Sequence, residues 1–187
     1  MAAGSQKGLS HARVTFNGIE AFLTLASATQ INALVPYGVG SKADMVVQYN
    51  GLTSDVFPLA VTGAAPGIFT QAYGPGQIWA VNPDGTFNAA PNPVARGGYV
   101  SVWATGQGLV SPAGVDGEVI TTAKSIQLPV KATVGGIDAQ VVAVLNYTGE
   151  IQANVSIPGG APTGSAVPLV LTIGTASSRN DATIAIK

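Results

Sequence analysis

The chain has 187 residues, of which 47% are hydrophobic and only 9% are charged, whereas ordinary globular proteins carry roughly 25% charged residues. Its net charge of −1 gives no electrostatic attraction to nucleic acid or to an anionic membrane, so neither is expected as a partner. The chain contains no cysteine, which excludes disulfides and thiolate metal sites.

The N-terminal stretch MAAGSQKGLSHARV has no apolar segment of the kind found in signal peptides. We therefore expect either a cytosolic protein or a piece of a longer chain. The stretch holds the only histidine, His11, and no G-x-S-x-G motif occurs, so a serine hydrolase triad is not expected. No apolar run reaches the roughly 18–20 residues of a membrane span, so none is predicted.

Strand patterns follow one another along the chain, and no stretch shows helical periodicity with caps. In GGYVSVWATG (97–106), for example, the valines alternate with polar and aromatic residues, as in a strand buried on one face. Turn signals such as Asn50-Gly51 separate these runs. An all-β, antiparallel sandwich is therefore predicted. Its most buried side chains should include Val100, Val102, Val130, Val134, Val155, Ile157, Leu169, Leu171 and Ile173.

One pattern occurs twice. TQINALVPYGVG (29–40) and IQANVSIPGGA (151–161) both contain Gln, one residue, Asn, two residues, a β-branched residue and Pro. FNGIEA and VGGIDA, and VVQYNGLTS and VLTIGTASS, repeat at a similar offset of about 120 residues. Each copy covers about 50 residues, half of an immunoglobulin-sized sandwich. We predict one complete unit over residues 63–187, preceded over residues 1–62 by the C-terminal half of a tandem unit.

A longer, ordered run of segments resembles a known family. ATQINALVPYGV, AAPGIFT, AVNPDGTFNAAPNPVARGGYVSVWATGQG, LPVKATVGGIDAQV and GSAVPLVLTIGTASSRNDATIAI are similar to a C-terminal domain of unknown function on large secreted proteins of Acidobacteria, Solibacter among them. More distantly, 97–108 with VGGIDA and VSIP resembles IPT/TIG domains. The resemblance implies an immunoglobulin-like antiparallel β-sandwich, an extracellular or cell-surface location, and no catalytic motif. In place of a longer loop of the family, this chain has a tight turn at Thr148-Gly149.

The half unit and the doubled motif each raise an expectation. Residues 14–61 would leave apolar faces open, so they should pack within the chain or pair with a second copy as a homodimer. The glutamines and asparagines of the motif should bond backbone groups near strand ends, with the prolines ending the pairing. The alternative is that they form a polar ligand site.

Four aromatic residues are the candidate ligand-binding groups. Tyr99 and Trp103 share one face of a predicted strand, and Trp79 and Tyr73 flank the loop YGPGQ. Exposed, they would stack on sugar rings; the alternative is that Trp103 fills the core or an interface. The nearest acidic pair, Asp116 and Glu118, could serve a glycosidase or bind calcium, although solvated loop positions are the simpler explanation.

Three functions therefore stay open. The first is a non-catalytic extracellular or cell-surface structural or interaction module, with another surface protein or a polysaccharide as partner. The second is a carbohydrate-binding module that uses Tyr99, Trp103, Trp79 and Tyr73. The third is a small glycoside hydrolase that uses Asp116 and Glu118. No cofactor and no metal site are predicted.

Overall fold

The computed structural model describes residues 6–7, 10–72 and 74–187. The described residues form 21 strands and no helix, so the predicted all-β class is confirmed. Most strand pairs are antiparallel, and one short pair is parallel. Within the described residues, no helix is long and apolar enough to cross a membrane.

The chain divides into two compact units. One comprises Met1–Thr62 with Ala113–Thr121, and the other comprises Gly63–Pro112 with Thr122–Lys187. Residues 113–121 thus lie with the first unit, although the predicted boundary counted them with the second. The prediction that one repeat ends at residue 62 and the next begins at residue 63 stays a prediction.

The first unit contains a three-stranded and a five-stranded sheet. The order of the first is β1-β4-β5, and that of the second is β3-β2-β6-β7 with β8 on β6. Small and apolar side chains of both sheets form its buried cluster: Ala12, Val14, Phe16, Ala21, Leu23 and Ala43. The strands are β1 (Gln6–Lys7), β2 (Ala12–Phe16), β3 (Ile19–Glu20), β4 (Phe22–Ala26), β5 (Ile31–Leu34), β6 (Lys42–Tyr49), β7 (Leu52–Thr53) and β8 (Phe57–Ala60).

The second unit contains a seven-stranded and a six-stranded sheet. The order of the first is β11-β12-β18-β17-β14-β13 with β9 on β12, and that of the second is β10-β21-β19-β15-β16 with β20 on β19. The strands are β9 (Gly67–Ile68), β10 (Gly76–Gln77), β11 (Ala80–Val81), β12 (Tyr99–Thr105), β13 (Val110–Ser111), β14 (Lys124–Ile126), β15 (Val130–Val134), β16 (Ile137–Ala139), β17 (Val141–Tyr147), β18 (Glu150–Ser156), β19 (Gly164–Ile173), β20 (Ala176–Ser177) and β21 (Ala182–Ile186).

The predicted core of the second unit is confirmed at eight of nine positions. Val100 and Val102 of β12 are fully buried, and they alternate with half-exposed residues as the pattern requires. Val130 is the exception, because it begins β15 and lines a surface cleft. The other confirmed positions are Val134, Val155, Ile157, Leu169, Leu171 and Ile173.

Five strand pairings occur in both units in the same arrangement. β2 pairs with β3 and β6 as β15 pairs with β16 and β19, and β4 pairs with β5 as β17 pairs with β18. Strand β6 also pairs with β7 and β8, as β19 pairs with β20 and β21. A side-chain detail repeats as well: the Ser54 hydroxyl accepts the Val47 N–H, and the Ser178 hydroxyl accepts the Leu171 N–H, both at 3.0 Å.

The doubled Gln-x-Asn motif makes the same contact in both units. Gln30 Nε2 donates to Asn32 Oδ1 at 2.7 Å, and Gln152 Nε2 donates to Asn154 Oδ1 at 3.2 Å. The second copy extends to the neighbouring strand, where the Ser101 hydroxyl donates to Asn154 Oδ1 at 2.8 Å. The partners are side chains on the outward face, which corrects the expectation of backbone partners. In both copies the glutamine and asparagine alternate with more deeply buried residues and so face away from the core.

Candidate functional site

Three aromatic residues meet where short strands join the edge of β12. The backbone N–H of Phe69 donates to the Trp103 carbonyl at 2.9 Å, and the N–H of Trp79 donates to the Phe69 carbonyl at 3.0 Å. Trp103 points outward because its neighbours Val102 and Ala104 are buried. The three residues therefore lie on adjacent stretches of chain in one continuous hydrogen-bonded row.

These aromatic residues line an open groove of about 530 Å³ in the second unit. Trp79 and Phe69 are exposed, at 42% and 36% of their surface, and Trp103 is half-buried. An apolar floor with a few polar groups is the usual form of a ligand site. Its described lining consists of Gly67, Ile68, Phe69, Thr70, Gly74, Trp79, Trp103, Thr105, Glu150 and Arg179.

The loop after β11 fixes the orientation of Trp79. Phe87 stands edge-on to the Trp79 ring, with centroids 5.3 Å apart and planes at 70°. The next residue, Asn88, is fully buried and bonds both backbone groups of Ala185 in β21: Nδ2 donates to the carbonyl at 2.9 Å, and Oδ1 accepts the N–H at 2.8 Å. Asn88 Nδ2 also donates to Asn82 Oδ1 at 3.0 Å. This network anchors the loop and, through Phe87, holds the Trp79 ring in place.

Glu150 and Arg179 place both signs of charge at the groove. Burial raises the pKa of the Glu150 carboxyl, since desolvation disfavours its charged form. The Arg179 guanidinium donates to both carboxylate oxygens of Asp181, at 2.8 and 2.6 Å. This pairing lowers the pKa of Asp181 and raises that of Arg179. A guanidinium held in this way is a fixed donor, and Glu150 is an acceptor when ionised.

The structure brings two of the four predicted aromatic residues together. Trp79 and Trp103 both line the groove. Tyr99 is exposed on the same strand face as Trp103, four residues away, but it is not among the lining residues. Tyr73 lies outside the described residues.

The predicted carboxylates lie in the first unit. Asp116 is half-buried, and its Oδ1 accepts the Tyr37 backbone N–H at 2.8 Å. Glu118 Oε2 accepts the Val115 N–H at 3.3 Å, within the same 113–121 segment. In the part of the chain that the structure describes, no three His, Cys, Asp or Glu residues form a group suited to a metal ion.

The aromatic and charged groove residues Phe69, Glu150 and Arg179 were not predicted from the sequence. Each comes from a different stretch of the chain, so no local pattern joins them. The only local signal is for Phe69, which lies in the segment PGIFTQ (66–71), whose composition is typical of a short strand. On a strand, neighbouring side chains such as Ile68 and Phe69 point to opposite faces.

A second cleft, of about 660 Å³, lies beside β15 and β17. Lys131 and Asp138 give it both charges, and Val142 contributes an exposed apolar surface. Its described lining contains no aromatic side chain. The aromatic groove is therefore the better candidate for ligand binding.

Comparison with known proteins gives no relative. No family model, curated protein or solved structure matches the chain. The chemistry of the groove is thus the main basis for a functional proposal.

Proposed function

We propose that the chain is a non-catalytic extracellular or cell-surface interaction module that binds polysaccharide through the aromatic groove. One observation carries the proposal: both tryptophans of the chain, Trp79 and Trp103, line the same open groove on one sheet. Tryptophan is costly to expose, and exposed aromatic surface gathered in one place is typical of recognition sites.

The groove has the chemistry that sugar rings require. The C–H faces of a sugar ring pack against aromatic faces, and its hydroxyls need donors and acceptors at the rim. Phe69, Trp79 and Trp103 supply the aromatic surface. Glu150 and Arg179 supply an acceptor and a donor, and Thr70 and Thr105 add hydroxyl groups. A volume of about 530 Å³ falls within the usual range of ligand sites, about 300–1,000 Å³.

Glycoside hydrolysis has less support than binding. That reaction uses two carboxyl groups, about 5–9.5 Å apart, on either side of the scissile bond. Glu150 is the single carboxylate among the described lining residues of the groove. Of the predicted pair, Asp116 already accepts a backbone hydrogen bond from Tyr37.

Ligand titration of groove variants tests the proposal. We expect soluble glycans to change the tryptophan fluorescence of the full chain. Trp79→Ala and Trp103→Ala should each weaken binding by about tenfold, because one aromatic contact contributes on the order of 1 kcal/mol beyond the area it buries. Tyr49→Ala is the matched control, since Tyr49 is an exposed aromatic residue of the other unit. It should bind as the unaltered chain does.

Two results would contradict this function. If no glycan in a broad panel, soluble or insoluble, binds the chain, the plain structural module is the better account. If glycans bind but the tryptophan variants and Tyr49→Ala all keep full affinity, the groove is not the site. Circular dichroism of each variant confirms that the fold is retained.

We also propose that the two sets of corresponding strands are successive copies of one immunoglobulin-like unit, as in the acidobacterial domain that the sequence resembles. Support comes from the five repeated pairings and from the serine and Gln-x-Asn contacts that both units make. Secretion follows from the same resemblance. Sequencing the gene on both sides of the region that encodes this chain tests both proposals. A signal peptide and further copies of the unit are expected. A cytosolic enzyme fused in frame would contradict secretion.

A further inference from the structure

Glu150 is the one charged side chain in the described lining of the aromatic groove that has no counter-charge. Arg179, the other charged lining residue, has both carboxylate oxygens of Asp181 as partners, at 2.8 and 2.6 Å. Among the residues that the structure describes, no group donates a hydrogen bond to the Glu150 carboxyl. When Glu150 is ionised, the groove therefore has an unpaired negative charge.

The hairpin of β17 and β18 places Glu150 beside Trp103. Tyr147 and Glu150 are paired across the turn, so Glu150 begins β18. Trp103 of β12 lies opposite Gln152, two residues further along β18. Because Ile151 is fully buried, Glu150 and Gln152 both face outward, as Trp103 does. Diagonal neighbours of this kind are about 7–8 Å apart, so one bound group can contact both the Trp103 ring and the Glu150 carboxyl.

The carboxyl and the aromatic rings favour the same kind of ligand. Water is already partly excluded from the Glu150 carboxyl, and this desolvation raises its pKa. A neutral ligand laid over the groove would remove more water from the carboxylate without supplying an opposite charge, which costs free energy. An ammonium group supplies that charge, and aromatic faces attract the same cation through the quadrupole of the ring.

We propose that the groove selects glycans whose sugars carry a primary amine, such as β-1,4-linked glucosamine, and that Glu150 binds the protonated amine. The inference rests on the proposed polysaccharide binding and adds the class of sugar to it. The sugar ring packs on the aromatic surface, and its ammonium group donates to the Glu150 carboxylate. Such a charge-assisted hydrogen bond is roughly twice as strong as one between neutral groups, so the amine decides which glycan binds best.

Acidic glycans and basic peptides fit the groove less well. A carboxylated or sulfated sugar would meet the unpaired charge of Glu150, and the Arg179 guanidinium that would offset it already binds Asp181. A lysine side chain carries the same ammonium group, but its thin methylene chain covers little of the open surface of the three aromatic residues. A sugar ring is broader and covers more of that surface.

Three tetrasaccharides with the same β-1,4 linkage test the proposal, because they differ only at carbon 2 of each ring. Glucosamine carries an amine there, N-acetylglucosamine an acetamide and glucose a hydroxyl. Each is titrated into the full chain at about pH 6, between the usual pKa values of a carboxyl and an amine, and tryptophan fluorescence is followed. We expect the glucosamine tetramer to bind at least ten times more tightly than either of the others.

Glu150→Gln should weaken binding of the glucosamine tetramer about tenfold. It should leave binding of the glucose tetramer unchanged, which shows that the groove is intact. Asp55→Asn is the matched control, since it removes the same charge from an exposed position in the other unit. This variant should bind all three tetramers as the unaltered chain does.

Three results would overturn the amine preference and leave the polysaccharide function standing. The first is binding of other glycans, weakened by Trp79→Ala and Trp103→Ala, with no advantage for the glucosamine tetramer. The second is a loss with Asp55→Asn as large as that with Glu150→Gln, since the attraction would then be general. The third is a lysine tetramer that binds as tightly as the glucosamine tetramer. If no glycan binds at all, the proposed function fails, and this inference fails with it.

Discussion

Val102→Asp is expected to unfold the second unit. Val102 is 0% exposed and lies in the middle of β12, paired with Ala153 on one side and Ala80 on the other. A carboxylate at this position would have no partner, and an unpaired buried charge costs several kcal/mol. Because domains are stable by only about 5–15 kcal/mol, most of that stability would be lost. Chemical denaturation followed by circular dichroism measures the change.

The matched control for this prediction is Val142→Asp on β17 of the same sheet. Val142 is 69% exposed, so the same chemical change leaves the carboxylate in water. We expect a change of less than about 0.5 kcal/mol in the free energy of unfolding. A Val102→Asp chain with an unchanged denaturation midpoint would place this face of β12 outside the core and contradict the described sheet.

Gly106→Ala has the second large expected effect. Gly106 has a φ of +79°, and an added Cβ would collide with the backbone carbonyl of Ala65. The backbone there has little freedom to move, since the Ala65 N–H donates to the Gly106 carbonyl at 2.8 Å. Left-handed strain costs an alanine about 1–2 kcal/mol, and the collision adds about 1–3 kcal/mol. We expect a total loss of roughly 3 kcal/mol in the free energy of unfolding.

Gly136→Ala separates the two causes. Gly136 has a φ of +81°, but an added Cβ would meet nothing within 4 Å. Gly136→Ala should therefore lower the free energy of unfolding by the cost of left-handed strain alone, about 1–2 kcal/mol. Thermal or chemical denaturation of both variants measures the difference between their losses in the free energy of unfolding, which is the cost of the collision at Gly106. Equal losses would mean that the approach between Gly106 and Ala65 is looser than described, and the segment that carries Phe69 would then be less firmly held against β12.

The sheet structure was predictable from the sequence because it depends on local alternation. The valines of β12 and the leucines of β19 occupy every second position, and burial of one face follows directly. The doubled Gln-x-Asn motif was equally visible, since both copies lie in short segments of sequence. That each glutamine bonds the asparagine of its own motif was not predictable, because backbone groups near a strand end could serve as partners equally well.

The groove was only half predictable. Trp103 was a candidate because it shares a strand face with Tyr99, and Trp79 was a candidate because it flanks the loop YGPGQ. Glu150 and Arg179 join them through pairings between residues far apart in sequence, which no local pattern encodes. Asn88 was missed for a related reason: asparagine in a loop rich in proline and glycine suggests a turn. Its burial depends on β21, which lies almost a hundred residues later.

The most direct test of the proposed binding groove is an NMR titration of the tryptophan indole N–H signals. The chain has two tryptophans, so two such signals are expected, and Trp79→Phe and Trp103→Phe assign them. A glycan that binds in the groove should shift both indole signals together, with one dissociation constant, because both rings line it. Saturable shifts of backbone signals elsewhere, with both indole signals unmoved, would show that the groove is not the binding site.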